Sequence, residues 1–72
     1  MRPGDSFHWL DVQRIAEELA EHHPLVDPLV VSFPRLRALV EDLPGFKAQP
    51  GHGVNEKILE TIQSLWIDEV QG

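Results

Sequence analysis

The stretch Asn55–Glu69 carries the longest helical pattern in the chain, and it restricts what the remaining residues can form. Its large apolar residues recur at i, i+1, i+4, i+7 and i+8, which places them on one helix face; they are Ile58, Leu59, Ile62, Leu65 and Trp66. Asn55 suits the N-cap, because its side-chain oxygen accepts a bond from an unpaired backbone N–H of the first turn. Such a helix is not stable alone in water, so other segments must cover its apolar face.

Two residues of this stretch depart from the pattern. Ile67 falls on the polar side, near Glu56 and Glu60, and Glu69 falls on the apolar side. We therefore expect the helix to fray or to leave the core near Glu69. Ile67 is either an ordinary exposed apolar residue or a contact residue ringed by carboxylates.

Two more helices are predicted earlier in the chain. The first follows Asp11, a candidate cap, and ends before Pro24, which biases the preceding residue away from helical dihedrals. The second starts at Pro34 and ends at Leu43, where a Pro-Gly pair stops it. Their apolar stripes are Val12, Ile15, Ala16, Leu19 and Ala20 in the first helix, and Leu36, Leu39, Val40 and Leu43 in the second.

Short extended segments are predicted before each of these two helices. Phe7 and Trp9 alternate around a histidine, and Val31 and Phe33 alternate around a serine. Phe46 is the large apolar residue of an irregular loop at 44–54 and should anchor that loop to the core. The fold class is therefore mainly α: a three-helix, helix-turn-helix-like domain with at most a short two-strand ribbon. We expect one domain at 7–70, a loose segment at 1–6 and a tail at 71–72.

Charge and composition restrict the classes of partner. The 72 residues carry a formal net charge of −6, and acids outnumber bases by six to two in residues 1–33 and by four to one in residues 54–72. Phosphate backbones would be repelled, whereas a basic protein or a cation would be attracted. The chain has no cysteine, which suits a reducing cytoplasm. Its apolar runs are too short for a transmembrane span or a signal-peptide core.

The residues that could carry chemistry are carboxylates and histidines. No nucleophile–base arrangement, phosphate loop or dinucleotide fingerprint is visible, so no enzyme is predicted. Paired carboxylates offer the oxygen ligands that hard cations prefer, although each pair could equally be a solvated acidic face. The pairs are Glu17 with Glu21, Glu56 with Glu60, and Asp68 with Glu69. His22 and His23 point about 100° apart on a helix and would not chelate together; a helix end that favours cations explains them as well.

A set of residues spread over positions 7–70 matches a family pattern. The set comprises Phe7-His8-Trp9-Leu10-Asp11, Ile15, Glu17, Pro24, Asp27-Pro28, Val31, Phe33, Leu43, Phe46 and the sequence NEKILETIQSLWIDE at Asn55–Glu69. Together they resemble the IscX family, the small acidic proteins of the bacterial iron–sulfur cluster (ISC) system. The Asn55–Glu69 segment is the most specific part of the resemblance.

The resemblance implies a modified winged-helix fold that does not bind DNA. It implies binding to the cysteine desulfurase IscS at the site that frataxin also uses, and hence competition with frataxin. It also implies weak binding of ferrous or ferric iron through exposed carboxylates, with no tightly bound cofactor and no catalytic activity. The acidic positions that match the family are Asp11, Glu17, Asp27, Asp42, Glu56, Glu60, Asp68 and Glu69.

Two sets of site residues follow from the charges and the resemblance together. The expected contacts with the desulfurase are Asp11, Glu17, Glu18, Glu21, Glu56, Glu60 and Ile67. The expected weak metal ligands are Glu17, Glu21, Asp68 and Glu69.

The chain departs from the family pattern in two places. The loop after the second helix lacks the usual acidic run and has Lys47 in place of an acid, which weakens the case for iron more than the case for the desulfurase. The expected threonine or serine caps are replaced by Leu10, Pro34 and Val54. We therefore expect each helix start to be less stable by roughly 0.5–2 kcal/mol where no neighbour compensates.

Three functions are compatible with the sequence. The first is an acidic adaptor or regulator that binds a cysteine desulfurase, and the second is a weak metallochaperone that delivers iron to cluster assembly. The third is a winged-helix DNA-binding module with Pro34–Leu43 as its recognition helix, but Arg35 and Arg37 are too few for a phosphate footprint. We expect a monomer, because each helix has only one apolar stripe.

Overall fold

The computed structural model describes residues 6–48 and 53–72, and these residues form three helices around a shared core. The helices are α1 (Val12–His22), α2 (Phe33–Glu41) and α3 (Glu56–Gln71). Helix α1 packs mainly against α3, and α2 contacts both. The mainly α, three-helix prediction is confirmed, whereas the winged-helix form stays a prediction. Part of the predicted 1–6 segment, part of the 44–54 loop and His52 lie outside the described residues.

The core is built from the predicted apolar stripes. Its largest fully enclosed side chains come from all three helices: Trp66 and Ile62 from α3, Ile15 and Leu19 from α1, and Leu36 and Val40 from α2. Trp66 has no solvent-exposed surface. Its indole Nε1–H is also buried and has no acceptor among the described residues. The apolar face of α3 is thus covered by the two helices that precede it in the chain.

The segment before α1 is fastened to the loop after α2. Phe7 N donates to the carbonyl of Gly45 over 3.1 Å, and Lys47 N donates to the carbonyl of Phe7 over 2.8 Å. The Phe46 ring lies edge-on to Trp9, with 4.9 Å between ring centroids. Phe7 and Trp9 are both buried, as predicted, and Phe46 packs against the core as the expected anchor. Gly45 has a φ of 86°, a backbone conformation that favours glycine.

The second predicted strand, which included Val31 and Phe33, is wrong. Asp27 Oδ1 accepts the N–H of Leu29 over 2.9 Å, and the Asp27 carbonyl accepts the N–H of Val30 over 3.2 Å. These bonds bend the chain into a turn, and Phe33 is already the first residue of α2. Within the described residues the ribbon is reduced to one isolated parallel bridge, between Phe7 and Phe46.

Helix α2 is also shifted from its predicted bounds. It begins at Phe33, one residue before Pro34, and ends at Glu41, two residues before Leu43. Ser32 sets the start, because its backbone is extended and its hydroxyl oxygen accepts the N–H of Arg35. The apolar pattern extended the helix through Leu43 because that side chain is buried, although its backbone is already in a turn.

At the starts of α2 and α3 a neighbouring residue supplies the cap, so the condition for a less stable helix start is not met there. Ser32 caps α2, and Asn55 Oδ1 accepts the N–H of Ile58 over 2.9 Å at the start of α3. At the start of α1, Asp11 makes no side-chain cap bond to the helix. Ser32 lies two residues before Pro34 and Asn55 one residue after Val54, the positions at which family caps were expected.

Helix α3 does not fray at Glu69. It continues to Gln71, and the backbone N–H of Gly72 closes the last turn on Asp68 O over 2.8 Å. Residues 68–71 are exposed, so the expectation that the helix leaves the core is confirmed. Ile67 is half-buried rather than fully exposed.

Replacing Trp66 with alanine tests the packing of α3. We expect Trp66→Ala to lower the free energy of unfolding by about 3–5 kcal/mol, because it empties a fully enclosed site. Urea unfolding followed by circular dichroism measures this loss. Val70→Ala, on the exposed last turn of the same helix, is the control and should change stability by less than about 0.5 kcal/mol. A loss below about 1 kcal/mol for Trp66→Ala would contradict the packing described here.

Candidate acidic docking face

The first turn of α1 lies beside the last turn of α3, and an amide joins their carboxylates. Gln13 Nε2 donates to Glu17 Oε2 over 3.2 Å and to Glu69 Oε2 over 3.3 Å. Both glutamates are exposed. One neutral side chain with two N–H donors therefore holds two negative charges from different helices side by side.

Two more carboxylates extend this arrangement. Asp11 and Glu17 line the same shallow depression at the start of α1. Glu21 follows Glu17 by four residues and so lies on the same side of the helix. We call Asp11, Glu17, Glu21 and Glu69 the acidic face.

Asp11 also shapes the turn before α1. Its Oδ2 accepts the backbone N–H of His8 over 3.0 Å and lies 3.5 Å from His8 Nε2. The N–H of Leu10 donates to His8 Nδ1 over 3.2 Å. Asp11 therefore combines an exposed charge with a role in the local backbone.

Glu18 is engaged within the chain. Arg14 Nε donates to its Oε2 over 3.0 Å, and His22 Nε2 lies 3.1 Å from its Oε1. The Arg14 guanidinium also lies over the Phe7 ring, 4.9 Å from its centre. Of the predicted contact residues, Glu18 is thus the one whose two oxygens both have internal partners. Its negative charge is less available to a partner protein than that of Glu17 or Glu21.

Three of the predicted metal ligands, Glu17, Glu21 and Glu69, belong to the acidic face, and the Gln13 amide links Glu17 to Glu69. Metal ligation at these residues stays a prediction. A further potential ligand group comprises Glu18, Glu21 and His22, whose ligand atoms lie within 4.8 Å of one another. The sequence contains a signal for this group, the i, i+4 spacing of Glu18 and His22. The prediction missed it because it compared His22 with His23 alone.

The remaining predicted residues lie elsewhere on α3. Glu56, Glu60 and Asp68 are exposed, and within the described residues no hydrogen bond or ion pair is formed by their side chains. Glu56 lines a shallow groove between the starts of α2 and α3, together with Phe33, Pro34, Arg37, Val54, Asn55 and Leu59. Partner contacts at Glu56, Glu60 and Ile67, and metal ligation at Asp68, stay predictions.

Two further observations concern the cations of α2 and the length of the helices. Arg37, on the helix once considered for DNA recognition, is paired with Glu41 over 3.3 Å. None of the helices in the described part of the chain combines the length and the apolar character needed to cross a membrane.

Comparison with known proteins supports a family assignment. The family model for iron–sulphur cluster assembly matches residues 7–71, nearly the whole chain. An uncharacterised protein of Pseudomonas aeruginosa is 47% identical over 64 residues, which cover 89% of this chain and 96% of that protein. The match includes all three helices and every residue of the acidic face.

Adding a charge at Gln13 tests the geometry of the acidic face. We expect Gln13→Glu to lower the free energy of unfolding by about 0.5–1 kcal/mol at low salt, because a donor becomes a third negative charge. About 1 M NaCl should abolish most of this loss, since the Debye length falls to about 3 Å. Urea unfolding at both salt concentrations gives the comparison.

Gln13→Met is the matched control, because it keeps the length of the side chain without adding charge. It should show no comparable salt dependence. Equal destabilisation by Gln13→Glu at low and high salt would mean that Gln13 does not lie between the two carboxylates.

Proposed function

Because this chain belongs to the iron–sulphur cluster assembly family, we propose that it is an acidic adaptor that docks on a cysteine desulfurase and modulates sulfur transfer. It acts in the cytoplasm, holds no catalytic group of its own, and shares its docking site with frataxin. The family membership supports the role in cluster assembly, and the resemblance to IscX supports the choice of the desulfurase.

The observation that carries this proposal is the Gln13 amide between Glu17 and Glu69. It places Glu17 of α1 and Glu69 of α3 side by side on one surface. A folded domain with fixed, exposed charges of one sign suits a partner with a basic patch, because complementary charges guide the encounter. The net charge of −6 also favours association with a basic partner.

Charge complementarity of this kind affects the rate of association more than the lifetime of the complex. Exposed ion pairs contribute about 0.2–1 kcal/mol each and are screened by salt. Binding to the desulfurase should therefore be strongest at low ionic strength. The acidic face orients the domain on its partner, and other contacts must supply the remaining affinity.

Removing two charges from the acidic face tests the proposal. Glu17→Gln combined with Glu69→Gln should weaken the Kd for a purified cysteine desulfurase about 3- to 30-fold at low salt, mainly through slower association. Biolayer interferometry at several salt concentrations gives both rate constants. An NMR titration of the labelled wild-type protein should broaden the signals of α1 and the end of α3.

Glu41→Gln combined with Asp42→Asn is the matched control, since it removes the same number of charges at the end of α2. It should bind almost as tightly as the wild type. No binding of the wild type at low salt would disprove the adaptor role, and equal weakening by both double variants would mean that only net charge matters.

A second function, delivery of iron, is favoured by the Glu18, Glu21 and His22 group. Two carboxylates and an imidazole are ligands that ferrous iron accepts, and a site at the surface would release its cargo readily. Glu18 would have to exchange its contacts with Arg14 and His22 for the metal. Iron binding would therefore be weak. Weak binding suits a protein that must pass the iron on to another protein.

Anaerobic ferrous titration tests this second function. Paramagnetic broadening in NMR spectra should begin at Glu18, Glu21 and His22 and should be lost in Glu21→Gln, His22→Asn. The double variant Glu41→Gln, Asp42→Asn again serves as the control and should broaden like the wild type. Broadening that spreads evenly over all exposed acids would count against a defined iron site.

A further inference from the structure

The loop between α1 and α2 exposes three aliphatic side chains. Leu25 is 97% exposed, Val30 78% and Leu29 61%. Single exposed apolar residues are ordinary on protein surfaces. Here three of the six residues at positions 25–30 are exposed aliphatic side chains, and a concentration of exposed apolar residues is typical of an interaction site.

This loop is held in a defined shape. Gln63 Nε2 of α3 donates to the carbonyl of Pro28 over 2.7 Å, and Pro28 itself is buried. The Asp27 carboxylate accepts the N–H of Leu29 over 2.9 Å. Val31, directly after the exposed residues, is part of the core. The exposed side chains therefore stand on an ordered backbone, and a partner that covers them loses little free energy in ordering the loop.

The charges around the loop indicate what kind of surface would cover it. Positions 15–34, bordered by Arg14 and Arg35, contain two histidines, neither lysine nor arginine, and four acids: Glu17, Glu18, Glu21 and Asp27. A complementary surface would be an apolar pocket rimmed with basic side chains. A second copy of this chain fits poorly, because it would bring two acidic surfaces of net charge −6 together.

We infer that Leu25, Leu29 and Val30 form an apolar anchor that inserts into a basic-rimmed apolar pocket on the partner protein. This inference rests on the proposed function, from which the identity of the partner, the cysteine desulfurase, is taken. Glu21 of the acidic face precedes Leu25 of the anchor by four residues, at the end of α1 that leads into the loop. The acidic face speeds association, and the anchor lengthens the life of the complex by burying aliphatic surface.

The test compares two triple variants of the whole chain on the same desulfurase. Leu25→Ser, Leu29→Ser, Val30→Ser should weaken Kd about 10- to 100-fold through faster dissociation, with the same salt dependence as the wild type. Leu25→Met, Leu29→Met, Val30→Ile keeps the anchor apolar and should bind within about threefold of the wild type. Leu25→Ser alone, at the most exposed position, should show part of the loss with an unchanged circular dichroism spectrum.

The outcomes separate the two proposals. If the wild type does not bind the desulfurase at low salt, the adaptor role and the anchor both fall. If the wild type binds and the serine variant binds equally tightly, the anchor is disproved and the adaptor role stands. If the serine changes alter only self-association of this chain, measured by sedimentation, or only its co-sedimentation with anionic lipid vesicles, the anchor on the desulfurase is likewise disproved.

Discussion

The burial of Trp66 between the helices is the interaction on which the other features depend. The indole buries roughly 150–250 Å² of surface, worth about 4–6 kcal/mol at the usual value per unit of apolar area. Its Nε1–H finds no acceptor among the described residues, which costs about 1–3 kcal/mol. The apolar gain exceeds the polar loss, so the side chain stays enclosed. In so short a chain, few other residues could provide a comparable gain.

The packing that encloses Trp66 also arranges the surface. Placing α1 against α3 brings Gln13 to Glu69, which creates an acidic surface that neither helix has alone. Helix α3 also holds the loop after α1, through the hydrogen bond from the Gln63 side chain to the carbonyl of Pro28. Helix α3 is thus both the centre of the core and the support for the two surfaces proposed to bind a partner. A change inside the core would disturb both surfaces together.

Features governed by local periodicity could be predicted from the sequence, and features governed by tertiary contacts could not. The stripe from Ile58 to Trp66 and the inward aromatics Phe7 and Trp9 follow from spacing alone. The strand predicted around Val31 fails for a local reason that apolar spacing does not report, because the Asp27 carboxylate bonds to the backbone two residues later and competes with extended structure. The link between Glu17 and Glu69 joins residues 52 positions apart, and no pattern in the sequence encodes it.

The order of the helices along the chain has a consequence for synthesis in the cell. The residues of α1 and α2 leave the ribosome before α3, whose Trp66 completes the core. At typical translation speeds the interval is roughly one to five seconds. During that time the part of the α1 stripe that packs on α3 is uncovered and is open to chaperones or to neighbouring nascent chains. The late position of α3 therefore makes folding depend on how well the growing chain is shielded before its core can close.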